Sequence, residues 1–370
     1  MLALPESIRR KRFIFNTHKI RKMDLSTAIK DQLMSSNDDT SILIQGKLIS
    51  DRKYRLNDSN LVTLLQSLQT QKNIERLSLS CHELTSKSLP ILQEYINSNN
   101  SSLQHLDIQN NDITNEHLDE LLLQCHSLTS LNLSYNVNLS KQSNVSLSNY
   151  LTTNKSLKSL YLNNVGFDLT AILAVITSLS ENSTLERLEL NRPLINNSTK
   201  EEICDHISRL LLYKTSILSH ISLRQACIHD RGIKHITDSL YISNKLRYLD
   251  LESNKISFHG IEFLCAYLSS PQGRDRGLES LGLSYNGDVG DKGGVAIAKV
   301  YTSYTYMRLT PNLYSLIHVY KHIYLLIDVR GESQSAYTHS KVLSSVHLTE
   351  QHSSCAAYTQ YHSNYPHTIR

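Results

Sequence analysis

Catalytic signatures are missing from this 370-residue chain. It has no Gly-x-x-x-x-Gly-Lys-Ser/Thr phosphate loop, no His-Glu-x-x-His zinc pair and no Gly-x-Ser-x-Gly elbow. The commonest phosphate, metalloprotease and serine-hydrolase chemistries are therefore not expected, and no catalytic residue, cofactor or metal ligand is assigned. Cysteine is scarce and scattered: Cys81, Cys125, Cys204, Cys227, Cys265 and Cys355 form no Cys-x-x-Cys pair. That spacing argues against a disulfide framework and a structural zinc site, and for reduced, packed thiols in the cytosol or nucleus. A large charge of one sign is also lacking. The 38 Lys and Arg against 34 Asp and Glu leave a net charge of +4, so bulk charge gives no case for nucleic-acid binding. No secretory leader is evident, because Arg9-Arg10-Lys11-Arg12 follow only a short mixed stretch. One apolar stretch, Leu313 to Val329, is interrupted by His318, Lys321, His322 and Asp328 and makes a poor membrane span.

What the chain does have is one pattern repeated. Leu103-x-x-Leu106-x-Ile108-x-x-Asn111-x-Ile113 returns as Leu246-x-x-Leu249-x-Leu251-x-x-Asn254-x-Ile256. Segments in the same phase begin at Ile74, Leu128, Leu157, Leu185, Leu218 and Leu278. The eight starts are about 29 residues apart, room for a strand, a turn and a helix in each unit. This is the periodicity of a leucine-rich-repeat solenoid, an α/β fold with parallel strands on its concave side and helices on its convex side. No single coil can bury its own apolar face, so each stacks on its neighbours. Growth in one dimension also lets 370 residues avoid the size limit of a single core.

Within each unit, Leu106, Leu249 and their counterparts should point inward from a short strand. Asn111, Asn136, Asn254 and Asn286 should sit buried in the following turn and pair backbone groups left free there. His82, Val165, Pro193 and Ala226 hold that place in the other four units, so the asparagine ladder breaks in the middle. The second half of each unit reads as an amphipathic helix. Leu118, Leu121, Leu122 and Cys125 fall at i, i+3, i+4 and i+7. Ile172, Val175, Ile176 and Leu179 repeat this, as do Ile261, Leu264, Cys265 and Leu268. Gly232, Gly260 and Gly294 are placed just ahead of their helices. Asn-x-Ser/Thr triplets such as Asn132-Leu133-Ser134 read as chance in a chain rich in both residues.

By repeat length and these glycines, the chain resembles the ribonuclease-inhibitor type of leucine-rich repeat over about residues 40 to 300. Leu188-Glu189-Leu190-Asn191-Arg192-Pro193 and the later Leu246-Arg247-Tyr248-Leu249-Asp250 segment resemble an intracellular branch of that family. The resemblance implies a non-enzymatic protein-interaction scaffold, in the cytoplasm and nucleus or nucleolus, linked to ribosome biogenesis or germ and stem cells. The expected partner is a protein, not nucleic acid, a membrane or a small molecule. The alternative it suggests is a GTPase-activating protein of the Ran-activator type, with Arg192 or Arg224 as the nearest candidates for the polar residues that order the GTPase's own catalytic groups. The candidate binding residues lie between the inward leucines, on the outward strand face: Arg187, Glu189, Arg224, Tyr248, Asp250 and Glu252. Exposed Tyr and Arg are common interface anchors.

The organisation expected is a basic arm over 1–40, a capping coil over 41–73, eight repeats over 74–300 and an atypical tail over 301–370. Arg9 to Arg12 could serve as an import signal or simply as a solvated arm. The tail holds ten of the 20 tyrosines and seven of the 17 histidines and no Leu-x-x-Leu-x-Leu segment. Phase and composition change together at Val300. The tail is expected to be disordered or, as a translated intron, foreign to the repeat protein.

Overall fold

A computed structural model describes residues 41–46, 55–68, 74–99, 102–139, 143–193, 201–302 and 308–310. The basic arm, the candidate import signal and residues 311–370, with His318 and His322, lie outside the described residues.

Among the described residues, ten strands form one sheet, ordered as they occur in the chain and parallel throughout. They are β1 (Ser41–Gln45), β2 (Arg76–Ser80), β3 (His105–Asp107), β4 (Ser130–Asn132) and β5 (Ser159–Tyr161). Then come β6 (Arg187–Glu189), β7 (His220–Ser222), β8 (Tyr248–Asp250), β9 (Ser280–Gly282) and β10 (Arg308–Thr310). One helix follows most strands: α1 (Asp58–Leu68), α2 (Ser88–Asn99), α3 (Leu118–Gln124), α4 (Ser143–Thr153), α5 (Leu169–Ser178), α6 (Glu201–Leu212) and α7 (Asp230–Leu240). The coil of β8 carries two, α8 (Phe258–Ser269) and α9 (Pro271–Arg276), and α10 (Gly290–Thr302) follows β9. Each coil is numbered here by its strand. Strands in a sheet lie about 4.8 Å apart, whereas packed helices need about 8–10 Å. The stack therefore bends with its strands on the inner side.

The leucine pattern explains the strands. The middle residue of each three-residue strand from β3 to β9 is buried and the first faces outward. Leu106 pairs in register with Leu131, and Leu249 with Leu281, so the inward leucines form one continuous row. Leu61, Leu64, Leu65 and Leu68 turn α1 onto the same core. Local chemistry sets several helix starts. Asp168 accepts from the Ala171 N–H at 2.8 Å ahead of α5, and Ser257 from the His259 N–H at 3.2 Å ahead of α8. Ser270 caps α9, where Pro271 fills the first turn with no N–H to leave unpaired.

The buried asparagines tie one coil to the next. Asn254 donates to Leu223 O and Leu251 O at 2.9 Å each and accepts from the Ala226 and Ile228 amides at 3.0 and 3.1 Å. Asn111 and Asn136 repeat the arrangement, and Asn286 bonds Leu251 O, Leu283 O and the Ile256 amide. Where the ladder breaks, two others appear. On the sheet side, Asn163 Oδ1 accepts from the Asn191 amide at 2.9 Å, and Asn191 Oδ1 accepts from the Arg224 amide at 2.7 Å. Ahead of β5 and β6, buried Asn154 and Asn182 each accept two amides of the next three residues and donate back to Cys125 O and Leu151 O.

Asn132, Asn154 and Asn182 each accept the N–H two residues on, closing a local turn as Asp107 does for Gln109. Two expectations change. The glycines sit inside their helices. A Cβ on Gly232 would meet Cys204 Sγ at 2.9 Å, and one on Gly260 would meet Asp230 Oδ1 at 2.5 Å. They therefore let neighbouring helices approach closely. The repeat phase also does not end at Val300. The helix runs to Thr302, and Arg308, Leu309 and Thr310 pair in register with Ser280, Leu281 and Gly282. A three-residue strand pairs through its backbone, so the full leucine motif need not be present.

Candidate protein-binding surface

Turn geometry is uniform along the inner face. The residue closing each strand's turn is left-handed in coils 2 to 9: Cys81, Asn110, Tyr135, Asn164, Arg192, Gln225, Ser253 and Tyr285 have φ between 51° and 62°. Such a conformation is unusual outside glycine. Its recurrence at one place per coil makes it part of the architecture rather than local strain at a site.

The six candidate residues lie in three adjacent coils. Arg187 and Glu189 are the ends of β6, Arg224 follows β7, and Tyr248 and Asp250 end β8 with Glu252 just after it. Strand register places Arg187 beside His220, His220 beside Tyr248, and Ser222 beside Asp250. Arg224 is gripped by two carboxylates. Its Nε and Nη2 both reach Asp250 Oδ2 at 2.6 Å, and its Nη1 lies 3.3 Å from Glu252 Oε2. Asp250 Oδ1 meanwhile accepts the Glu252 amide at 3.1 Å. Burial raises the Glu252 carboxyl above its ordinary pKa against the pull of Arg224. Burial acts against the charge of Arg224, yet the bond to Asp250 and the nearby carboxylates hold its pKa above the usual value. Glu189 accepts from Asn163 Nδ2 at 3.0 Å.

Beside this clamp lies an aromatic stack. The rings of His220 and Tyr248 are 3.9 Å apart and nearly parallel. His220 Nδ1 is 2.7 Å from Ser219 Oγ, and the Tyr248 hydroxyl donates to Glu279 Oε2 at 3.1 Å. Arg247 lies 3.5 Å from the same carboxylate. Burial, helped by Arg187, pushes the His220 pKa down to about 4, so the ring is neutral at pH 7. His220 shares the outward strand column of Arg187 and Tyr248, though it is not one of the six candidates, and the column alone does not show that its ring stacks. Glu279 was missed because it precedes its strand and carries no periodic signal.

Two expectations about these residues need revision. Asp250 and Glu252 are not free surface charges, because they hold Arg224 across two coils. Arg224 is correspondingly engaged, whereas Arg192 is exposed at its left-handed turn. A second surface was not anticipated at all. Leu212, Tyr213, Ile217, Tyr241 and Ile242 are exposed at the corners leading into β7 and β8, with Ile242 at 78%. Lys245 Nζ bridges these corners by donating to Tyr213 O and Lys214 O at 2.7 and 3.2 Å. Among the described residues, no group of three or more His, Cys, Asp or Glu could hold a metal ion, and no helix is long and apolar enough to cross a membrane. The five described cysteines are free; burial pushes the Cys125 thiol up to about 12 and the Cys265 thiol up to about 11.

Comparison with known proteins agrees with this geometry. The family profile described as Leucine Rich repeat matches residues 99–119, 124–140, 243–265 and 276–298. Leucine-rich repeat-containing protein 34 of Mus musculus is 29% identical over 103 residues, covering 28% of this chain and 24% of that protein. The protein of the same name from Homo sapiens is 36% identical over 73 residues, 19% of this chain and 15% of that one. Tonsoku-like protein of Bos taurus is 34% identical over 131 residues, 35% of this chain and 9% of the relative. The chain thus spans a quarter or less of the length of these relatives.

Proposed function

We propose that this leucine-rich-repeat solenoid binds its protein partner on the inner sheet face of coils 6 to 8, with Tyr248 as the central anchor. The observation that carries this reading is the fixed pose of Tyr248. Its ring is backed by His220, its hydroxyl is held by Glu279, and 38% of it remains exposed. An aromatic side chain already held in place loses little conformational freedom on binding, which favours affinity. The Arg224 clamp beside it is likewise ordered before a partner arrives. Interfaces concentrate energy in such Tyr and Arg positions. Arg187 and Glu189 extend the same surface by one coil. An intracellular setting, cytoplasm with nucleus or nucleolus, belongs to the same proposal, since free thiols fit a reducing compartment.

Affinity capture with the full chain, followed by mass spectrometry, identifies the partner. Binding is then measured for Tyr248→Ala and Arg187→Glu, with thermal unfolding as the control for folding. We expect each variant to unfold near the wild-type temperature and to bind at least about tenfold more weakly. Unchanged affinity in both variants, with binding lost in Ile242→Asp, would move the site to the corner patch and overturn the proposal.

A further inference from the structure

Coil 1 is attached differently from the others. Every asparagine of the turn ladder is neutral at all accessible pH, but the turn residue that ties coil 2 to coil 1, beside the bonds of Asp58 to Thr85 and Ser88, is a histidine. His82 is 5% exposed. Its Nδ1 accepts the Leu56 N–H at 3.1 Å, and its Nε2 is 3.2 Å from Ile44 O. These two contacts fix the tautomer: Nδ1 accepts, so the proton sits on Nε2 and is donated to Ile44 O. The ring thus performs for β1 and the start of α1 what Asn111 performs for coil 2, where it bonds Leu79 O and the His82 and Leu84 amides.

We propose that His82 is an acid-sensitive latch, which holds coil 1 onto the solenoid while neutral and releases it on protonation. A second proton on Nδ1 would point at the Leu56 N–H, donor against donor, and remove that tie. It would also bring a charge into a site that already faces a cation. Arg55 acts on His82 with like charge, and its own Nε is buried with no partner among the described residues. Among the described residues, other charged groups nearby do not offset it. Asp58 of α1 is occupied by the Thr85 amide and the Thr85 and Ser88 hydroxyls. Glu83 and Asp112 are exposed, and β1 carries no charged residue. The neighbouring backbone leaves the ring no room to withdraw toward β1, since even a Cβ on Gly46 would meet His82 Nδ1 at 2.8 Å and Cys81 O.

The direction of the pH effect follows. Burial, with Arg55, lowers the His82 pKa from 6.5 to about 4 in the closed state. A released ring regains the ordinary value. The open state therefore binds more protons between those limits, and the latch weakens as pH falls from 6.5 toward 4. Between pH 7 and pH 5, opening should rise on the order of twentyfold. Release of coil 1 uncovers the edge of β2 and the core face holding Leu77 and Leu79, so contacts at this end of the sheet become pH-dependent.

Hydrogen exchange of the full chain at pH 7 and pH 5, corrected for intrinsic rates, tests this at the amides of β1 and α1. The wild type should show that rise in coil 1, with coils 8 and 9 nearly unchanged. His82→Asn installs the residue used elsewhere in the ladder and should make coil 1 insensitive to pH. An equal rise in His82→Asn, or none in the wild type, overturns the proposal. Should the shorter Asn fail to hold coil 1 at pH 7, NMR titration of the wild-type ring decides. A His82 ring titrating near 6.5 in the folded chain also overturns it.

Discussion

Leu249 sits at the centre of β8 with 2% of its surface exposed, between Ile221 and Leu281 in register. An Asp there would carry its charge into a stacked apolar row with no cation to meet it. We expect Leu249→Asp to lower stability by about 3–5 kcal/mol, and Leu106→Asp to do the same; denaturant melts indistinguishable from wild type would refute the inward assignment. Asn254 tests the polar half of the repeat. Asn254→Ala strands the Ala226 and Ile228 amides and Leu223 O, while Leu251 O keeps its bond from Asn286, so a loss of about 2–4 kcal/mol is expected by the same measurement. These residues were legible because each coil asks for the same chemistry at the same place. Arg224 was legible only as an outward residue. Its grip on Asp250 and Glu252 depends on side-chain directions across two coils, which periodicity does not contain. Reversing both carboxylates would therefore crowd three cations together and report on folding as well as binding.

At the scale of the element, helix positions followed from the 3.6-residue spacing, but the joints between helices did not. Asp230 opens α7, yet its carboxylate accepts the Ser257 amide at 2.8 Å and the Ser257 hydroxyl, one coil further on. Asp58 does the equivalent for Thr85 and Ser88. The Asp230 joint also depends on Gly260, which the spacing marked as a glycine ahead of a helix and not as a contact between helices. Gly260→Ala would drive a methyl group against the Asp230 carboxylate and Ile256. We predict a cost of about 1–3 kcal/mol, with part of it shared with Asp230→Ala in a double-mutant cycle. Fully additive effects would show that the two do not act through one contact. The last strand was missed for a related reason. Arg308, Leu309 and Thr310 pair with β9 through the backbone, and three residues without the full motif carry no periodic signal.

Across the whole molecule, the ties between coils are uneven, and that unevenness predicts where it opens. Turn asparagines bridge coils 2 to 3 and 3 to 4, and again coils 7 to 8 and 8 to 9. Val165, Pro193 and Ala226 offer no acceptor at the corresponding joints from coil 4 to coil 7. Pro193 also lacks the N–H that such an acceptor would serve, so its coil needs one fewer bond there. Asn163 and Asn191 replace part of the function, but on the solvent side of the sheet, where both are only partly buried. Because a solenoid's stability is set by nearest neighbours, local weakness is not averaged out by a shared core. We therefore predict that hydrogen exchange in urea below the unfolding midpoint exposes the turn amides of coils 5 and 6 before those of coils 3 and 8. Val165→Asn should narrow the gap, because its side chain can reach the turn amides of coil 4 as Asn136 reaches those of coil 3. Exchange that is uniform along the sheet, or a Val165→Asn chain in which coil 5 opens earlier still, would show that apolar stacking alone sets the order of opening.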